Sequence, residues 1–418
     1  MLNPREFLAS LFDVAVEAAN PDHCIRRFLP ERPRGRTIVV GAGKGSAQLA
    51  RALENHWPGP VEGTVVTRYG YAAGCRHVEV IEAAHPVPDA AGLLASRRLL
   101  DRVRGLTKDD LVIALMCGGG SALLPCPPDG FTLDDEIALN RALLASGAPI
   151  SAMNTIRKHF SGIKGGRLAA AAFPAKVVSL VVSDIPGDDP ALVSSGPTIP
   201  SAGTAADALA MIGRYRIVLP DPVARYFSKC GAAPAVDDAL FAANTAHVIA
   251  SARVSLNAAV EAAKRAGVPA VILSDSLEGE AREAGAFHAA LSREIHDHGQ
   301  LLSRPILLLS GGETTVTVRG RGKGGRNSEF LLAFASRIAG AGGIHALAAD
   351  TDGIDGSEDN AGAFADGSSF ERMLSRGIRA EDYLANNDAR SAFAAIDDLF
   401  VTEPTGTNVN DFRAILIL

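Results

Sequence analysis

The sequence has little of the features that mark secreted, membrane or nucleic-acid-binding proteins. Its cysteines are odd in number and form no Cys-x-x-Cys pair, which argues against a disulfide framework or a zinc ribbon. They are Cys24, Cys75, Cys117, Cys126 and Cys230. The net charge of -6 gives no electrostatic reason to expect nucleic acid or an anionic membrane as partner. No uncharged apolar run approaches membrane-spanning length, and the N-terminal stretch carries acids, unlike a signal peptide. We therefore expect a cytoplasmic protein with reduced thiols.

The sequence does contain a regular alternation of two kinds of segment. Short β-branched runs alternate with alanine-rich helical stretches, and 418 residues suffice for two or three α/β domains. Because most runs are apolar throughout, we expect strands covered on both faces, in a mostly parallel sheet flanked by helices. These runs are RTIVVGAG, GTVVTR, HVEVIEA, DLVIALMCGGG, KVVSLVVSDIPG, PAVILSDS, RPILLLSGGE and GIHALAADTDG. GGETTVTVRG alternates apolar and polar residues and predicts a further strand with one solvated face.

Prolines and a loss of strand pattern near residues 217–238 mark the predicted domain boundary. We place one α/β domain at residues 1–240 and another at 241–418. Glycine, serine and aspartate gather where the predicted strands end, in GAGKGS, CGGGSALL, SDIPGDD, SGGETT and ADTDGIDGSEDN. Ligands of open α/β sheets bind just outside those carboxyl ends. Candidate binding residues in the second of these segments are therefore Gly119, Gly120 and Ser121.

The first glycine-rich turn, in VVGAGKGSAQLA, resembles two phosphate-binding patterns and matches neither. Its glycines and lysine are too closely spaced for a Walker A loop, and Ser46 replaces the third glycine of the dinucleotide fingerprint. The next predicted strand ends near Arg68, which would suit NADP. Gly43, Lys44, Gly45 and Ser46 thus form a candidate phosphate site, and a structural turn with a solvated lysine is the alternative.

Two further segments before the boundary carry charged side chains at useful spacings. Asn154, Arg157 and Lys158 would share roughly one face of a helix, and that face suits a carboxylate or a phosphate. A solvated basic helix surface is the alternative. Asp184 and Asp189 follow a buried strand, where carboxylates can hold Mg²⁺ or accept a proton from a substrate hydroxyl. They can equally form turns.

After the boundary, cations are embedded in a glycine loop that leads into a helix. The loop GRGKGGRNSE predicts an anion site formed by side chains and backbone amides together, with Gly325, Arg326 and Asn327 as candidates. Glu313, at the end of the preceding predicted strand, is a further candidate binding residue. A flexible surface hairpin is the alternative. The loop ADTDGIDGSEDN is not an EF-hand, because Asp355 stands where that motif needs glycine. Its Asp350 and Asp352 could orient Mg²⁺ or a ligand, or lie in a solvated acidic turn.

These blocks, in this order, resemble the class II glycerate kinases. That family joins an N-terminal glycerate-kinase domain to a C-terminal MOFRL domain, and many members have been labelled hydroxypyruvate reductase. The resemblance covers nearly the whole chain, from GAGKGSA through CGGGSALLPCP, NTIRKHFSGIKGGRLA, SDIPGDDP, SSGPT, SGGETTVTV, GRGKGGRNSEF and ADTDGIDG to TGTNVNDF. Together these motifs are specific, although each one alone is not.

The resemblance implies ATP-dependent phosphorylation of D-glycerate to 2-phosphoglycerate with Mg²⁺. It also implies a Rossmann-like N-terminal domain, an α/β C-terminal domain and an active site in the cleft between them. The family's functional lysine corresponds to Lys44 and its functional arginine to Arg326. We assign Asp184, followed by Asp189, as the general base. Asp184, Asp350 and Asp352 are the candidate metal ligands.

Two other classes of function remain open from the residues. An NAD(P)H-dependent hydroxypyruvate reductase would use the first turn as a dinucleotide site, but would leave the basic blocks and the second aspartate loop without a clear task. A non-catalytic sensor of sugar acids or nucleotides scarcely needs so many convergent charged groups. The expected partners are small molecules, and a homodimer is left open.

Overall fold

The chain folds into two compact units that are not simply consecutive in sequence. The computed structural model describes residues 2–200, 202–229 and 233–418, so Cys230 lies outside the described residues. One unit, here called the N-terminal unit, is Pro21–Ile249. The other, the C-terminal unit, comprises Ala250–Leu418 together with the segment up to Asn20, which contains helix α1 (Pro4–Ala18). The unit boundary therefore falls at Ala250 rather than after residue 240, and α1 joins the C-terminal unit, which the sequence pattern did not indicate.

The N-terminal unit is built around one six-stranded sheet. Its strand order is β3-β2-β1-β4-β5-β6, and the pairs among β1 to β5 are all parallel. This is the strand order of a Rossmann-type doubly wound sheet, as the resemblance implies. The bounds are β1 (Thr37–Ala42), β2 (Glu62–Arg68), β3 (Val78–Ala83), β4 (Leu111–Cys117), β5 (Lys176–Val182) and β6 (Thr245–Ala250).

Helices cover both faces of this sheet, which explains why its central strands are apolar along their whole length. Every residue of β1 and of β4 is buried. The helices are α2 (Pro21–Cys24), α3 (Ser46–His56), α4 (Ala90–Val103), α5 (Gly120–Leu123), α6 (Leu133–Ala145), α7 (Ile150–His159), α8 (Arg167–Ala172), α9 (Ala205–Arg214) and α10 (Asp221–Phe227). Single 3₁₀ turns occur at Ile25–Phe28, Pro186–Asp188, Val193–Ser195 and Ala239–Phe241.

The C-terminal unit has a second six-stranded sheet, of mixed direction. Its order is β11-β10-β9-β12-β8-β7, for β7 (Ala270–Ser274), β8 (Ile306–Ser310), β9 (Ile344–Asp350), β10 (Gly362–Asp366), β11 (Leu399–Phe400) and β12 (Asp411–Ile417). Its β7–β8 pair is parallel, and its other pairs are antiparallel. Mostly parallel pairing therefore describes the N-terminal sheet, as expected, whereas the C-terminal sheet is mixed. The mixed direction arises largely from β12, which inserts between β9 and β8 and runs antiparallel to both.

Helices pack on both faces of the second sheet as well. Besides α1 they are α11 (Ala252–Arg265), α12 (Ala281–His298), α13 (Arg326–Arg337), α14 (Ser369–Ser375), α15 (Ala380–Ala385) and α16 (Ala389–Ala394). Helix α1 buries one apolar face, whose side chains recur at helical spacing, namely Phe7, Leu8, Leu11, Phe12 and Ala15. These side chains share a core with α11 and with β8, β9 and β12. Within the described residues, no helix is both long and apolar enough to cross a membrane.

Each apolar run predicted as a strand contains one, but the alternating segment GGETTVTVRG does not. That segment makes only an isolated bridge, between Thr315 and Glu280. The Glu280 carboxylate also accepts a hydrogen bond from the Thr317 amide, at 3.1 Å, and Asn387 accepts one from the Arg319 amide, at 2.7 Å. Side chains thus take the place of a neighbouring strand, which a pattern of alternation cannot reveal.

Candidate active site

In the N-terminal unit, two glycine-rich turns meet where the strand order reverses. Strands β1 and β4 are neighbours, and the chain leaves them in opposite directions along the sheet, which is where open α/β sheets bind ligands. The Lys44 amide donates a hydrogen bond to the Gly118 carbonyl oxygen, at 2.9 Å. Gly43 has φ 130°, and a side chain there would overlap the Cys117 carbonyl group. The two turns can therefore approach this closely only because residue 43 is glycine.

The backbone amides of the first turn are engaged within the protein. The Gly43 amide donates to the Val66 carbonyl at 3.1 Å, the Lys44 amide is bonded to Gly118, and the Gly45 amide faces the Cys117 thiol. The Ser46 hydroxyl is fully buried and lies 2.9 Å from the Gly43 oxygen and 2.7 Å from the Val66 oxygen. In this structure the polar groups of Gly43 and Ser46 fix the turn, and the phosphate role of Gly43, Gly45 and Ser46 stays a prediction.

In the first turn, the Lys44 side chain is the group that can contact a ligand. It is half-buried, and within residues 2–200, 202–229 and 233–418 it makes no ion pair with a carboxylate. Its stem lies beside Gly119: a methyl group added at Gly119 would lie 3.3 Å from Lys44 Cγ. An ammonium group without a carboxylate partner, at the point where the strand order reverses, is suited to an anionic ligand.

The second turn brings a carboxylate and two serines to the same place. A side chain at Gly118 would overlap the Asp184 carboxylate, so Asp184 lies directly against this turn. Gly119 has φ 80° and caps α5. The Ser121 hydroxyl is 2.7 Å from that of Ser195. The segments CGGGSALL, SDIPGDD and SSGPT, distant in sequence, are thus adjacent in the fold. Gly119, Gly120 and Ser121 remain candidate binding residues.

His85 belongs to this group and was missed by the sequence analysis. The methyl group considered at Gly119 would lie 3.1 Å from His85 Nε2, so His85 and Lys44 border the same space. Burial, and then the positive charges of Lys44 and Arg68, lower the pKa of His85 to about 4. The ring is therefore neutral near pH 7. The available signal was its position just after β3, at the same edge of the sheet as the other strand ends.

The basic face of α7 is buried rather than solvated. Asn154 is 8% exposed and Lys158 is 5% exposed. Arg157 donates from Nη1 to Asn154 Oδ1 at 3.1 Å and from Nε to Asn140 Oδ1 at 2.8 Å. Burial lowers the pKa of both Arg157 and Lys158. These observations argue against the solvated alternative.

A backbone contact connects the segment after α7 to the glycine turns. The Gly165 amide donates to the Ser195 carbonyl oxygen at 3.0 Å, and Ser195 in turn contacts Ser121. The nearby Lys164 is only 1% exposed and pairs with Glu136 at 3.0 Å, so its role is structural. The basic segment therefore lies one contact away from the turn that holds Gly119 and Ser121.

The two aspartates proposed as general base differ in environment. Asp184 lies against Gly118, as described above. Asp189 is exposed, and its Oδ1 accepts a hydrogen bond from the Ala191 amide at 2.9 Å. Asp189 thus forms the turn that its sequence context also allowed. The geometry favours Asp184 over Asp189.

In the C-terminal unit, Arg326 is held by acidic side chains. Its Nε donates to Asp411 Oδ1 at 2.7 Å and its Nη2 to Asp350 Oδ2 at 2.6 Å. Glu313 lies 3.4 Å from Nη1. Burial alone would lower the pKa of Arg326, but Asp411, Asp350 and Glu313 together raise it above its ordinary value. The guanidinium group is therefore fixed in orientation, and its charge is already balanced within the unit.

The amino end of α13 is occupied by a carboxylate of the protein. Asp355, fully buried, accepts hydrogen bonds from the amides of Gly325, Asn327 and Ser328, at 3.2, 2.9 and 2.8 Å. The Asn327 side chain donates to Asp411 at 2.7 Å. These contacts count against an anion site at Gly325 and Asn327, which stays a prediction. Their donors already serve Asp355 and Asp411, and the positive end of the helix already faces a negative charge.

The glycine loop before α13 is likewise pinned to the protein. Asn387 accepts from the amides of Arg319 and Gly320, at 2.7 and 2.9 Å. Asp388 accepts from the Lys323 amide at 2.9 Å. The Arg319 and Arg321 side chains are exposed. The loop is therefore an ordered turn whose backbone donors are bonded internally, rather than a flexible hairpin or an open amide cradle.

The acidic loop after β9 supplies two neighbouring carboxylates. Asp350 is buried, and burial raises its pKa well above the usual value, opposed by Arg326 and assisted by Asp352 and Asp411. Asp352 is less buried, and accepts from the Ile354 amide at 2.9 Å. Across the described residues, no group of three or more His, Cys, Asp or Glu side chains is arranged to hold a metal ion. Mg²⁺ commonly uses one or two carboxylates plus substrate phosphates, and Asp350 and Asp352 are the residues of this loop that would hold it. Their oxygens accept hydrogen bonds within the unit, those of Asp350 from Arg326 and the Asp352 amide and those of Asp352 from Ile354 and Asn408.

Two residues of β12 complete this charged network and were missed from the sequence. Arg413 is fully buried, pairs with Asp411 Oδ2, and donates to the Thr314 hydroxyl at 2.9 Å. Asp411 therefore joins Arg413 to Arg326. The signal was the pair of charged residues in the otherwise apolar segment DFRAILIL. The candidate residues thus form one group in each unit.

Comparisons with known proteins place this arrangement in a family. Residues 7–228 match the family described as "Domain of unknown function (DUF4147)", and residues 306–411 match the MOFRL family. A protein of Agrobacterium vitis that is provisionally named hydroxypyruvate reductase is 49% identical over 100% of this chain and 95% of its own length. The D-glycerate 2-kinase of Thermotoga maritima is 39% identical over 97% of this chain and 96% of its own.

The fold agrees with these sequence comparisons. A crystal structure of glycerate kinase from Thermotoga maritima superimposes with a TM-score of 0.90 at 38% identity, and the match covers 99% of both chains. The likeness spans both units and is accompanied by the matching domain order. The chain belongs to the class II glycerate kinase family, which joins an N-terminal glycerate-kinase domain to a C-terminal MOFRL domain.

Proposed function

We propose that this protein is a glycerate 2-kinase, which transfers the γ-phosphoryl group of ATP to the 2-hydroxyl of D-glycerate with Mg²⁺. The family membership and the names of the Thermotoga maritima relative support the reaction type. The observation in this chain that carries the proposal is Lys44, a half-buried cation beside Gly119 and without a carboxylate partner among the described residues. Phosphoryl transfer depends mainly on positioning and charge neutralisation, which such a group provides.

Within the N-terminal unit, three groups share the proposed work. Lys44 neutralises anionic oxygen atoms, of the substrate carboxylate or of the phosphoryl group. His85, neutral and beside Lys44, offers a hydrogen bond to the substrate without adding charge. Asp184, against Gly118, accepts the proton of the attacking hydroxyl or holds the metal. The cationic face of α7, with Lys158 buried and Arg157 partly buried, is the proposed contact for an anionic group of the substrate.

Within the C-terminal unit, the proposed task is to handle the nucleotide and its metal. Bound Mg²⁺ would neutralise phosphate charge, and Asp350 and Asp352 are the residues that would hold it. Arg326 fixes the position of Asp350 through a 2.6 Å hydrogen bond. We therefore propose that Arg326 acts chiefly by ordering this acidic loop, while its remaining donor capacity faces Glu313. A cytoplasmic location and a homodimer remain predictions.

A hydroxypyruvate reductase is the alternative, because the Agrobacterium vitis relative carries that name and because β2 ends at Arg68. Two observations disfavour it. The amides of Gly43 and Lys44, which would bind a pyrophosphate group, are bonded to Val66 and Gly118. The Arg68 guanidinium lies over the Tyr71 ring at 4.2 Å, which occupies the group expected to contact NADP.

One pair of assays separates the two activities. Purified protein is given D-glycerate with MgATP while ADP release is followed, and separately hydroxypyruvate with NADH or NADPH while absorbance at the nicotinamide band is followed. We expect ADP release that requires D-glycerate, and 2-phosphoglycerate as the product by phosphorus NMR. Oxidation of NAD(P)H by hydroxypyruvate without ADP release in the first assay would contradict the proposal.

A further inference from the structure

A cavity lies at the edge of the N-terminal sheet opposite to Lys44. It is a partly open cavity of about 610 Å³ at the amino ends of β4, β5 and β6, and all of its lining residues belong to the N-terminal unit. Its remaining wall is the segment from Arg27 to Arg34, which enters β1. Strands of six or seven residues separate the two edges, roughly 20 Å at about 3.3 Å per residue. The cavity is therefore separate from the candidate active site.

The wall of the cavity is held in place by the backbone. The Gly35 amide donates to the Asp109 carbonyl at 2.8 Å, and the Arg36 amide donates to Asp110 Oδ1 at 2.7 Å. Asp110 also accepts from the Thr107 amide at 2.7 Å. Pro30 and Pro33 restrict the backbone of the wall further. The segment is thus tied to the loop before β4 on one side, and its shape does not depend on a bound ligand.

Positive charge predominates around this cavity. Five cationic side chains line it, against three acidic ones: Arg27, Arg32, Arg34, Lys108 and Lys176, against Glu31, Asp109 and Asp110. Among residues 2–200, 202–229 and 233–418, these five cations form no ion pair with a carboxylate. The Asp110 carboxylate is buried and already bonded to Arg36 and Thr107, so its oxygens do not compete for a ligand. Five cations gathered around one cavity without carboxylate partners favour an anion there.

The size and lining of the cavity restrict the class of anion. About 610 Å³ lies within the range of roughly 300–1,000 Å³ that holds small organic molecules, and it far exceeds a single phosphate ion. The Phe28 and His247 rings, with centroids 5.4 Å apart and planes inclined by 37°, supply an aromatic wall beside the cations. Arginine, present three times, matches the oxygens of a phosphate group with its forked donors.

We propose that this cavity is a binding site for a small organic phosphate with at least two anionic groups, distinct from the active site. Strands β4 and β5 start at this cavity and lead into the segments with Gly118 and Asp184, so they connect it physically to the candidate active site. A ligand here could therefore report the level of a phosphorylated metabolite to the enzyme. The binding claim stands apart from the proposed kinase activity, and only its regulatory consequence rests on that activity.

The test measures binding directly by calorimetry, with inorganic pyrophosphate as the probe. The Lys44→Ala protein is used throughout, so that binding at the active-site turn is suppressed. The cavity variant adds Arg32→Ala and Lys176→Ala, and the control adds Arg97→Ala and Arg141→Ala. The control removes two exposed cations from helices α4 and α6, so both proteins lose the same charge. ADP and a phosphorylated sugar acid then serve as separate titrants, and the one whose affinity falls more from the control to the cavity variant identifies the source of the phosphate.

We expect pyrophosphate to bind the Lys44→Ala protein, with an affinity that falls as salt rises. The cavity variant should bind at least tenfold more weakly, while the control stays within twofold. Absence of binding to the Lys44→Ala protein would overturn the proposal, as would equal binding by the cavity and control variants. Equal melting temperatures of the two variants ensure that the comparison reports the site rather than the fold. None of these outcomes depends on whether the protein phosphorylates glycerate.

Discussion

Removal of Arg326 should destabilise the C-terminal unit, because this residue balances buried carboxylates. Its partners Asp350 and Asp411 have side chains that are only 5% and 0% exposed. Arg326→Ala leaves both without that cation, and removing one partner of a buried ion pair costs about 3–5 kcal/mol. For a unit of this size, such a loss lowers the melting temperature by on the order of 10 °C. The sequence alone, which suggested a ligand-facing arginine, predicts almost no change in stability.

The stability lost in Arg326→Ala should also depend on pH, in a definite direction. Burial already raises the pKa of Asp350 in the intact protein, and loss of the Arg326 charge raises it further. A carboxyl group whose pKa is higher in the folded than in the unfolded state contributes stability at low pH, which is lost as pH rises through the folded pKa. The difference in stability between wild type and Arg326→Ala should therefore be larger at pH 8 than at pH 5.

Denaturant unfolding at both pH values measures this difference in the free energy of unfolding. Calorimetry at the same pH values gives the melting temperatures. Arg321→Ala is the matched control, because Arg321 lies in the same loop and its side chain is exposed. We expect the control to melt within about 2 °C of wild type. If Arg326→Ala melts with the control at both pH values, Arg326 is not holding the acidic network, and the account of the C-terminal unit is wrong.

The other predictions concern the N-terminal unit. Gly118→Ala should lower kcat at least tenfold with intact ATP binding, because the added methyl group displaces Asp184; unchanged kcat would place Asp184 outside the chemistry. His85→Gln should lower kcat/KM. Because the pKa of His85 is about 4, the pH profile of wild-type kcat/KM should show no histidine ionisation between pH 5.5 and 7.5. An inflection near pH 6.5 that disappears in His85→Gln would contradict this. Ser46→Ala should cost about 1 kcal/mol in denaturant unfolding, through its lost buried hydrogen bond, and leave the KM for ATP unchanged. A tenfold rise of that KM would restore Ser46 as a ligand residue.

The sequence was sufficient for the elements that depend on local pattern. Continuous apolar runs predict β1 to β5 and β7 to β9, because strands buried on both faces need such runs. Glycine, serine and aspartate at their ends identify the edge where Lys44, Gly118 and Asp184 meet. The sequence could not predict that α1 packs in the C-terminal unit, or that β12 lies in the middle of the C-terminal sheet. The first depends on contacts between segments far apart in sequence, such as Ser255 with Ala15, and the second on the pairing of β12 with β8 and β9.

The roles of individual site residues were harder to predict than their location. Motifs indicate which donors a turn contains, but not whether the fold uses them. Asp355 takes the amides at the start of α13, and Val66 and Gly118 take those of the first turn, so neither set is free for a phosphate. His85 and Arg413 were overlooked because each is a single residue outside a glycine-rich motif. His85 matters because it lies near Lys44, and Arg413 because it pairs with Asp411.

The most direct test of the central claim is the rate of D-glycerate-dependent ADP release by Lys44→Ala compared with wild type, at saturating MgATP. The account predicts a loss of kcat/KM of about a hundredfold or more, the usual effect of removing a group that stabilises transition-state charge. Because the Lys44 ammonium has no carboxylate partner within the described residues, the melting temperature should remain within about 2 °C of wild type. Activity within threefold of wild type would contradict the assignment of this turn to phosphoryl transfer.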